Sequence, residues 1–396
     1  MFRVRFSGFK VCTPLGLVFL VMGLCLILTS AAKSTEPSQR HRQVTPAHHP
    51  ATPKAKKQPA KVHKTAQARP AGAMPVHGTY AERTDAMDWA DEAAQRLDLP
   101  RDWVRRQIGQ AQRLPKVEQL ILPAPSPMAK NWAAYRSRFI EPRRIEAGLQ
   151  FWQRHQATLA RAEQTYGVPA SIIVGILGVE TLYGRRMGGF RVLDALATLA
   201  FDFPQAHPRA AQRQAFFREE LGHFLRLTER SGADPQSWRG SYAGAMGLPQ
   251  FMPSSWARYA VDFDGNGHID LFNSTADAIG SVANYFQAFQ WKPGLATHYP
   301  VTLTAAEADM DALLAPDILP TFSVERFQSK GALLDGAALQ HPGPLALIEL
   351  RNGTAAPSYV AGTENFYAVT RYNWSSYYAM AVIELGLAVA ERKAAP

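Results

Sequence analysis

The chain has 396 residues, and its 46% of hydrophobic residues suffice for one large domain or roughly two to three small ones. Its formal net charge is +10, but the charge is uneven, because residues 1–79 hold twelve Lys or Arg and a single acid, Glu36. The rest of the chain is therefore nearly neutral. An enzyme of nucleic acids carries its cationic surface on the folded part, so the composition argues against a nucleic-acid partner.

Residues 1–32 have the layout of a secretory signal peptide, with basic residues before an apolar run at 11–28 and small residues after it. The apolar run is long for a signal peptide, so an uncleaved anchor in the inner membrane stays open as the alternative. Cys25 follows the bulky Leu24, which argues against lipidation. Either arrangement predicts that the remaining chain lies in the periplasm.

The rest of the chain divides by composition. Residues 33–79 are basic and rich in Pro, Ala and Lys, which predicts a disordered tether. Helical spacing of apolar residues from residue 87 onward favours a mainly α fold. We predict a helical N-terminal domain at 80–150, a helical core at 151–292, a small α+β insert at 293–368, and a C-terminal helix at 369–396 that returns to the core.

The segment 166–188, YGVPASIIVGILGVETLYGRRMG, predicts a buried helix between Pro169 and Gly184, because its apolar residues at 172–179 leave no polar face. Gly184 suits the position just past the helix end. Glu180 falls in the last turn, where the helix dipole and desolvation both raise the pKa of a carboxyl group. A general acid needs such a pKa, although a glutamate that reaches solvent at a fraying helix end fits the residues equally well.

The segment 240–267 combines a cluster of small residues with Ser241 and Gln250, which have aromatic neighbours. Sugar sites use such a mixture of hydrogen-bonding groups and apolar platforms. Tight helix packing around a glycine-rich turn is the simpler interpretation of the segment taken alone.

The segment 262–270, DFDGNGHID, matches the start of a calcium-binding EF-hand loop. Asp262, Asp264 and Asn266 take positions 1, 3 and 5, and the carbonyl of His268 takes position 7. Position 12 departs from the pattern, since it is an asparagine, and Asp277 in the following turn is the natural substitute. We predict a structural Ca²⁺ ion here, with a metal-free Asx-rich turn as the alternative.

Five blocks in order resemble the lytic transglycosylase B family, the murein-cleaving glycoside hydrolase family 103. The resemblance runs from about residue 85 to residue 390 and includes GILGVETLYG, GSYAGAMGLPQFMPSS and FYAVTRYNWSSYYAMAV. It implies a lysozyme-like helical core with an EF-hand-like loop, a helical N-terminal domain and a small β-containing insert. It also implies peptidoglycan glycan strands as the substrate and Ca²⁺ as a structural ion, with no organic cofactor. Partner proteins of wall synthesis and membrane association through the N-terminus are further expectations.

The resemblance also assigns roles to residues. Glu180 matches the catalytic acid/base of the family, and the calcium loop matches at Asp262, Asp264, Asn266, His268 and Asp277. The implied substrate-binding residues are Tyr135, Ser241, Met246, Gln250, Phe251, Tyr285, Tyr372, Asn373 and Tyr378.

The motifs contain no convincing second carboxylate beside Glu180, since Asp194 reads as a helix cap. Glycosidases normally use two carboxylates. The family resemblance implies that one suffices, because Glu180 protonates the bridging oxygen between N-acetylmuramic acid and N-acetylglucosamine and then deprotonates the C6 hydroxyl of the muramyl residue. This forms a 1,6-anhydro ring. A hydrolytic muramidase and a non-catalytic, calcium-stabilised wall-binding module are the alternatives.

Overall fold

A computed structural model describes residues 79–123, 130–304 and 308–395. The predicted signal peptide or anchor at 1–32 and the predicted tether at 33–79 lie outside these residues, apart from the last residue of the tether. Among the described residues, no helix combines the length and the apolar character needed to cross a bilayer.

Helices dominate the described chain, as the sequence predicts. They are α1 (Thr84–Leu97), α2 (Arg101–Gln110), α3 (Pro115–Ile121), α4 (Trp132–Arg136), α5 (Pro142–Arg154), α6 (Gln156–Tyr166), α7 (Ala170–Thr181), α8 (Val192–Phe201), α9 (Ala210–Ser231), α10 (Pro253–Tyr259), α11 (Thr275–Ala288), α12 (Met310–Leu314), α13 (Val324–Gln328), α14 (Glu364–Tyr372) and α15 (Ser376–Ala394). A 3-10 turn spans Gly336–Gln340.

Helix α7 lies at the centre of the core, as its apolar sequence predicts. It packs against α15 and also touches α5, α6 and α11. Glycines bring α7 and α15 close together: a Cβ at Gly175 would lie 2.2 Å from the carbonyl oxygen of Val382, and one at Gly386 would lie 2.1 Å from that of Ser171. Because only glycine fits these crossings, the helix that carries Glu180 is held firmly against α15.

The C-terminal end of α7 differs from the prediction. The helix ends at Thr181, and Leu182 and Tyr183 adopt left-handed conformations with φ of 50° and 57°, ahead of Gly184. Non-glycine residues rarely take this conformation. Hydrogen bonds hold the turn, since the Thr181 hydroxyl accepts from the Gly184 N–H at 3.0 Å and donates to the Leu248 carbonyl at 2.9 Å. The chain therefore reverses directly after Glu180 and is tied to the loop around residue 248.

The N-terminal helices share one continuous hydrophobic core with the rest of the helical body, from Tyr80 to Val389. The predicted boundary at residue 150 falls inside α5.

Asp194 is not a cap, because the N-cap of α8 is Arg191. Its buried carboxylate instead accepts hydrogen bonds from the Gln112 N–H at 3.0 Å and the Arg191 Nε at 2.6 Å, so it ties α8 to the loop after α2.

The strands are short and lie mostly in the region predicted as a β-containing insert. They are β1 (Phe190–Arg191), β2 (Arg239–Gly240), β3 (His298–Pro300), β4 (Thr302–Leu303), β5 (Ala332–Leu333), β6 (Ala346–Asn352) and β7 (Ala355–Gly362). Strand β7 is central in an antiparallel β3-β7-β6 sheet, with Ala361 opposite both Tyr299 and Leu347. A separate small core around Phe322 and Phe327 lies in this region. The predicted boundary at residue 368 falls inside α14.

Candidate active site

A cleft opens beside the end of α7. Its volume is about 850 Å³, including the solvent at its mouth, which is in the range of sites for small ligands. Among the residues that line it, all in the described part of the chain, Glu180 is the only acid. The lining comprises Glu180, Ser241, Ala243, Ala245, Gln250, Phe251, Met252, Ser254, Ser255, Arg258, Tyr259, Tyr285, Phe289, Arg371, Tyr372 and Asn373.

Glu180 has the electrostatic character of a general acid. Burial raises the pKa of its carboxyl group to about 7, and the hydrogen bond from Tyr378 acts in the opposite direction. The Tyr378 hydroxyl donates to Oε1 at 2.5 Å, a short distance typical of a bond to a charged oxygen. Because the pKa lies near neutrality, both the acid and the carboxylate are populated at pH 7.

Three tyrosines form an aromatic wall beside Glu180. The ring of Tyr372 lies 4.9 Å from that of Tyr285 and stacks on that of Tyr378 at 6.4 Å. Two of the hydroxyls bind the backbone: Tyr372 donates to the carbonyl of Pro249 at 2.5 Å, and Tyr285 donates to that of Arg371 at 2.6 Å. Tyr372 and Tyr285 therefore offer ring faces to the cleft, whereas Tyr378 holds the catalytic candidate.

The loop from Ser241 to Phe251 forms another wall. Gln250 has a left-handed backbone with φ of 51°, and its Nε2 donates to the carbonyls of Gly247 at 2.9 Å and Met187 at 3.1 Å. Its buried Oε1 has no hydrogen-bond partner within the described residues. The Ser241 Oγ accepts from the Ala245 N–H at 3.0 Å, so its own hydrogen is available for another acceptor.

Met246 and Tyr135 are placed differently from the other predicted substrate-binding residues. Met246 is fully buried and does not line the cleft; its backbone exchanges two hydrogen bonds with Phe251, of 2.9 and 3.0 Å, which close the loop. Tyr135 is half-buried outside the lining, in an aromatic cluster with Trp132 and Tyr377.

The cleft also contains residues that the sequence interpretation missed, notably the two arginines Arg258 and Arg371 and the aromatic pair Tyr259 and Phe289. Arg371 directly precedes Tyr372 in the block VTRYNWSS, and Arg258 precedes Tyr259 in SSWARYAV. Their position inside these motif blocks could have pointed to them, but the sequence alone does not show that their side chains line the cleft of Glu180.

The predicted metal loop brings three carboxylates together. Oxygens of Asp262, Asp264 and Asp277 lie within 4.8 Å of one another. Asp277 is fully buried, and it accepts hydrogen bonds from the N–H groups of Phe263 and Asp270 at 2.8 and 2.9 Å. The side chain of Asn266 turns back to accept from the N–H of His268. An all-oxygen set of this kind suits Ca²⁺ rather than a softer metal.

Comparison with known proteins agrees with this geometry. The sequence profile of the family described as "Transglycosylase SLT domain" matches residues 81–387. Membrane-bound lytic murein transglycosylase B of Escherichia coli (strain K12) is 40% identical over 326 residues, which cover 80% of this chain and 86% of that protein.

Two solved structures are also similar. The Escherichia coli lytic transglycosylase SLT35 in complex with calcium has a TM-score of 0.69 and 38% identity, covering 81% of this chain and 97% of that one. Soluble lytic transglycosylase SltB1 from Pseudomonas aeruginosa has a TM-score of 0.69 and 40% identity, covering 78% of this chain and 100% of that one.

The chain belongs to the transglycosylase SLT domain family. It is a peptidoglycan lytic transglycosylase, and the mainly α, lysozyme-like fold predicted from the sequence is confirmed.

Proposed function

We propose that Glu180 is the single acid/base of this enzyme and that it cleaves the β-1,4 bond between N-acetylmuramic acid and N-acetylglucosamine. The observation that carries the proposal is a carboxyl group with a pKa of about 7 in a cleft that, among the described residues, is lined by no other acid. A hydrolase that used two carboxylates would need the second one within roughly 5–10 Å of the first.

The proton transfers balance with one carboxyl group. Glu180 donates its proton to the bridging oxygen as the bond from that oxygen to C1 of the muramyl residue breaks. The C6 hydroxyl of the same residue then bonds to C1, and its proton passes to the Glu180 carboxylate. The products are a free hydroxyl on the N-acetylglucosamine and a 1,6-anhydromuramyl end, and Glu180 is protonated again without consumption of water.

The other cleft residues have supporting roles in this proposal. Phe251, Tyr285 and Tyr372 supply the apolar platforms for sugar rings, while Ser241, Gln250 and Asn373 supply polar groups for hydroxyls and amides. Tyr378 orients the Glu180 carboxylate through its hydrogen bond. Met246 supports the loop from within the core instead of touching the sugar, and Tyr135 packs against Trp132 and Tyr377 outside the lining of the cleft.

Mass spectrometry of peptidoglycan digests tests the proposal. We expect 1,6-anhydromuramyl ends from the wild type and no product from the isosteric variant Glu180→Gln. The exposed Glu391 in the last turn of α15 provides a matched control, since Glu391→Gln makes the same chemical change away from the cleft. Reducing muramyl ends would instead identify a hydrolytic muramidase, and full activity of Glu180→Gln would reject the assignment of Glu180.

We further propose that the loop of Asp262, Asp264, Asn266, His268 and Asp277 is EF-hand-like and binds a structural Ca²⁺ ion. The converging carboxylates and the calcium complex of the Escherichia coli relative support it. Because a ligand that binds only the folded state stabilises it, Ca²⁺ should raise the Tm and a chelator should lower it. Asp264→Asn should abolish this shift, and a shift that survives the substitution would reject the loop as the site.

The proposed location is the periplasm, with residues 1–32 acting as a signal peptide or inner-membrane anchor and no lipid on Cys25. The substrate and the export pattern of the N-terminus support this. Fractionation of cells, with the N-terminus of the mature chain sequenced, distinguishes a cleaved signal peptide from an anchor. Association with proteins of wall synthesis stays a prediction.

A further inference from the structure

Arg371 has an unusual environment for an arginine in the wall of a catalytic cleft. Its guanidinium group lies over three aromatic rings, at 5.5 Å from Phe289, 5.6 Å from Tyr367 and 5.4 Å from Trp374. Within the described residues, Arg371 makes one hydrogen bond to a side chain, from Nη1 to the Tyr367 hydroxyl at 3.3 Å. No carboxylate of these residues forms an ion pair with it.

This arrangement orients the guanidinium group of Arg371 and leaves its positive charge available to a ligand. Aromatic faces attract and orient a guanidinium plane but provide no hydrogen-bond acceptors for its edges. Elsewhere in the described chain arginines are commonly matched with acids, as Arg83 is with Asp202 and Arg101 is with Asp91. A half-buried arginine that is held by rings and has no acid partner in the described part of the chain is suited to an anionic group that arrives with a ligand.

Arg371 also lies between two cavities. It lines the cleft of Glu180, and together with Phe289 it lines a neighbouring surface groove. The groove continues past Tyr367 to Lys292, whose ammonium group pairs with Glu364 at 2.7 Å. Arg371 therefore lies at the side of the cleft that borders the groove, where its guanidinium group is placed to meet a substituent on a sugar in the cleft.

We propose that Arg371 binds a carboxylate carried by the O3 substituent of the muramyl residue. The proposal rests on the proposed function, because it takes a muramyl residue as the ligand. Two sources share this chemistry: the carboxylate of the lactyl ether itself, in strands without peptide, and a carboxylate of the stem peptide attached to it. Bidentate pairing with the edge of the guanidinium group selects a carboxylate over its neutral amide.

Arg258 is the matched comparison. It lines the same cleft and carries the same charge, but it is exposed, and its charge acts on Glu220 and His223. No ring contact orients it among the described residues. The proposal therefore assigns the selection of carboxylates to Arg371 alone.

The test measures binding by calorimetry in the Glu180→Gln background, so that ligands are not consumed. One ligand pair is a disaccharide with free lactyl carboxylate and its lactyl amide. The other pair is a disaccharide with a stem dipeptide that ends in a free glutamyl α-carboxylate and the same compound with that group as a carboxamide. The readout is the ratio of Kd values within each pair, which a general loss of affinity does not change.

We expect the unmodified cleft to prefer the carboxylate of one pair by about tenfold or more, as a charged hydrogen bond gives. Arg371→Gln should reduce that ratio to about one, Arg371→Lys should retain part of it because the point charge remains, and Arg258→Gln should leave it intact. The pair that responds identifies the source of the carboxylate. If Arg371→Gln does not fold, the ratio of Kd values in Arg371→Lys decides: a ratio below that of the unmodified cleft supports the proposal, and an unchanged ratio overturns it.

Ratios near one in the unmodified cleft for both pairs, or a ratio that Arg371→Gln leaves unchanged, would overturn the proposal. Loss of the ratio in Arg258→Gln alone would transfer the role to that residue and likewise overturn it. These failures are distinct from failure of the proposed function, which would appear in the peptidoglycan digests as reducing muramyl ends or as full activity of Glu180→Gln.

Discussion

Replacement of Tyr378 by Phe isolates the hydrogen bond that acts on Glu180. The Tyr378 hydroxyl donates to Oε1 at 2.5 Å, and this bond favours the charged carboxylate and lowers its pKa. A hydrogen bond to a charged group contributes about 1.5–3 kcal/mol, which corresponds to about one to two pKa units. Tyr378→Phe should therefore raise the pKa of Glu180 above its value of about 7 by this amount.

The pH profile of kcat/KM on purified glycan strands measures this change. In the proposed mechanism Glu180 must be protonated in order to donate a proton to the bridging oxygen, so activity should fall as the pH rises through its pKa. The alkaline limb of the profile should move upward by about one to two pH units in Tyr378→Phe. Tyr372→Phe is the matched control, because its hydroxyl donates to the Pro249 carbonyl instead of to Glu180. An alkaline limb that stays in place, or moves to lower pH, would refute the reasoning.

Two further predictions concern stability. Gly244→Ala should destabilise the fold by about 1–3 kcal/mol, because its φ is +83° and a Cβ would lie 2.4 Å from Leu196. Urea unfolding measures this loss of stability. Gly232→Ala is the control that separates backbone strain from the clash, since its φ is +66° and the space around its Cβ is open. The second concerns Glu220, whose pKa burial raises from 4.5 to about 7. Its carboxyl group stays protonated in the folded protein while the unfolded chain ionises, so stability should fall as pH rises from about 4.5 to 7, by up to about 3 kcal/mol from this group. Glu220→Gln should flatten the fall between pH 5 and pH 8 in urea titrations, and an equally steep fall would contradict the prediction.

The sequence pattern predicted helix α7 and the loop of acidic residues, because each is determined by residues close together in the chain. The run of apolar residues before Glu180 leaves no polar face, which predicted a buried helix, and Ile173 and Ile176 are fully buried as expected. The spacing of Asp262 and Asp264 in a tight glycine-containing loop likewise brings their side chains together, and one turn of the next helix adds Asp277.

The remaining features depend on contacts between distant parts of the chain. Tyr378 reaches Glu180 across 198 residues, because α15 packs on α7 through glycines. Met246 turns into the core because its backbone pairs with Phe251 to close the loop, and a motif match does not reveal this direction. Leu182 takes a left-handed conformation that its own propensity opposes, since the Thr181 hydroxyl and the loop at residue 248 hold the turn.

In the proposed mechanism, the environment of Glu180 allows one carboxyl group to serve in both proton transfers. Desolvation alone would raise the pKa further and leave an acid too weak to protonate a glycosidic oxygen. The Tyr378 hydrogen bond alone would lower the pKa and leave the group ionised at neutral pH, before the first step. Because the two effects oppose each other, the pKa lies at about 7, where the proton is available for the bridging oxygen and the carboxylate still attracts the proton of the C6 hydroxyl. The same Tyr378 hydrogen bond holds the carboxylate in place, so in the proposed mechanism the same group serves as the acid and then as the base.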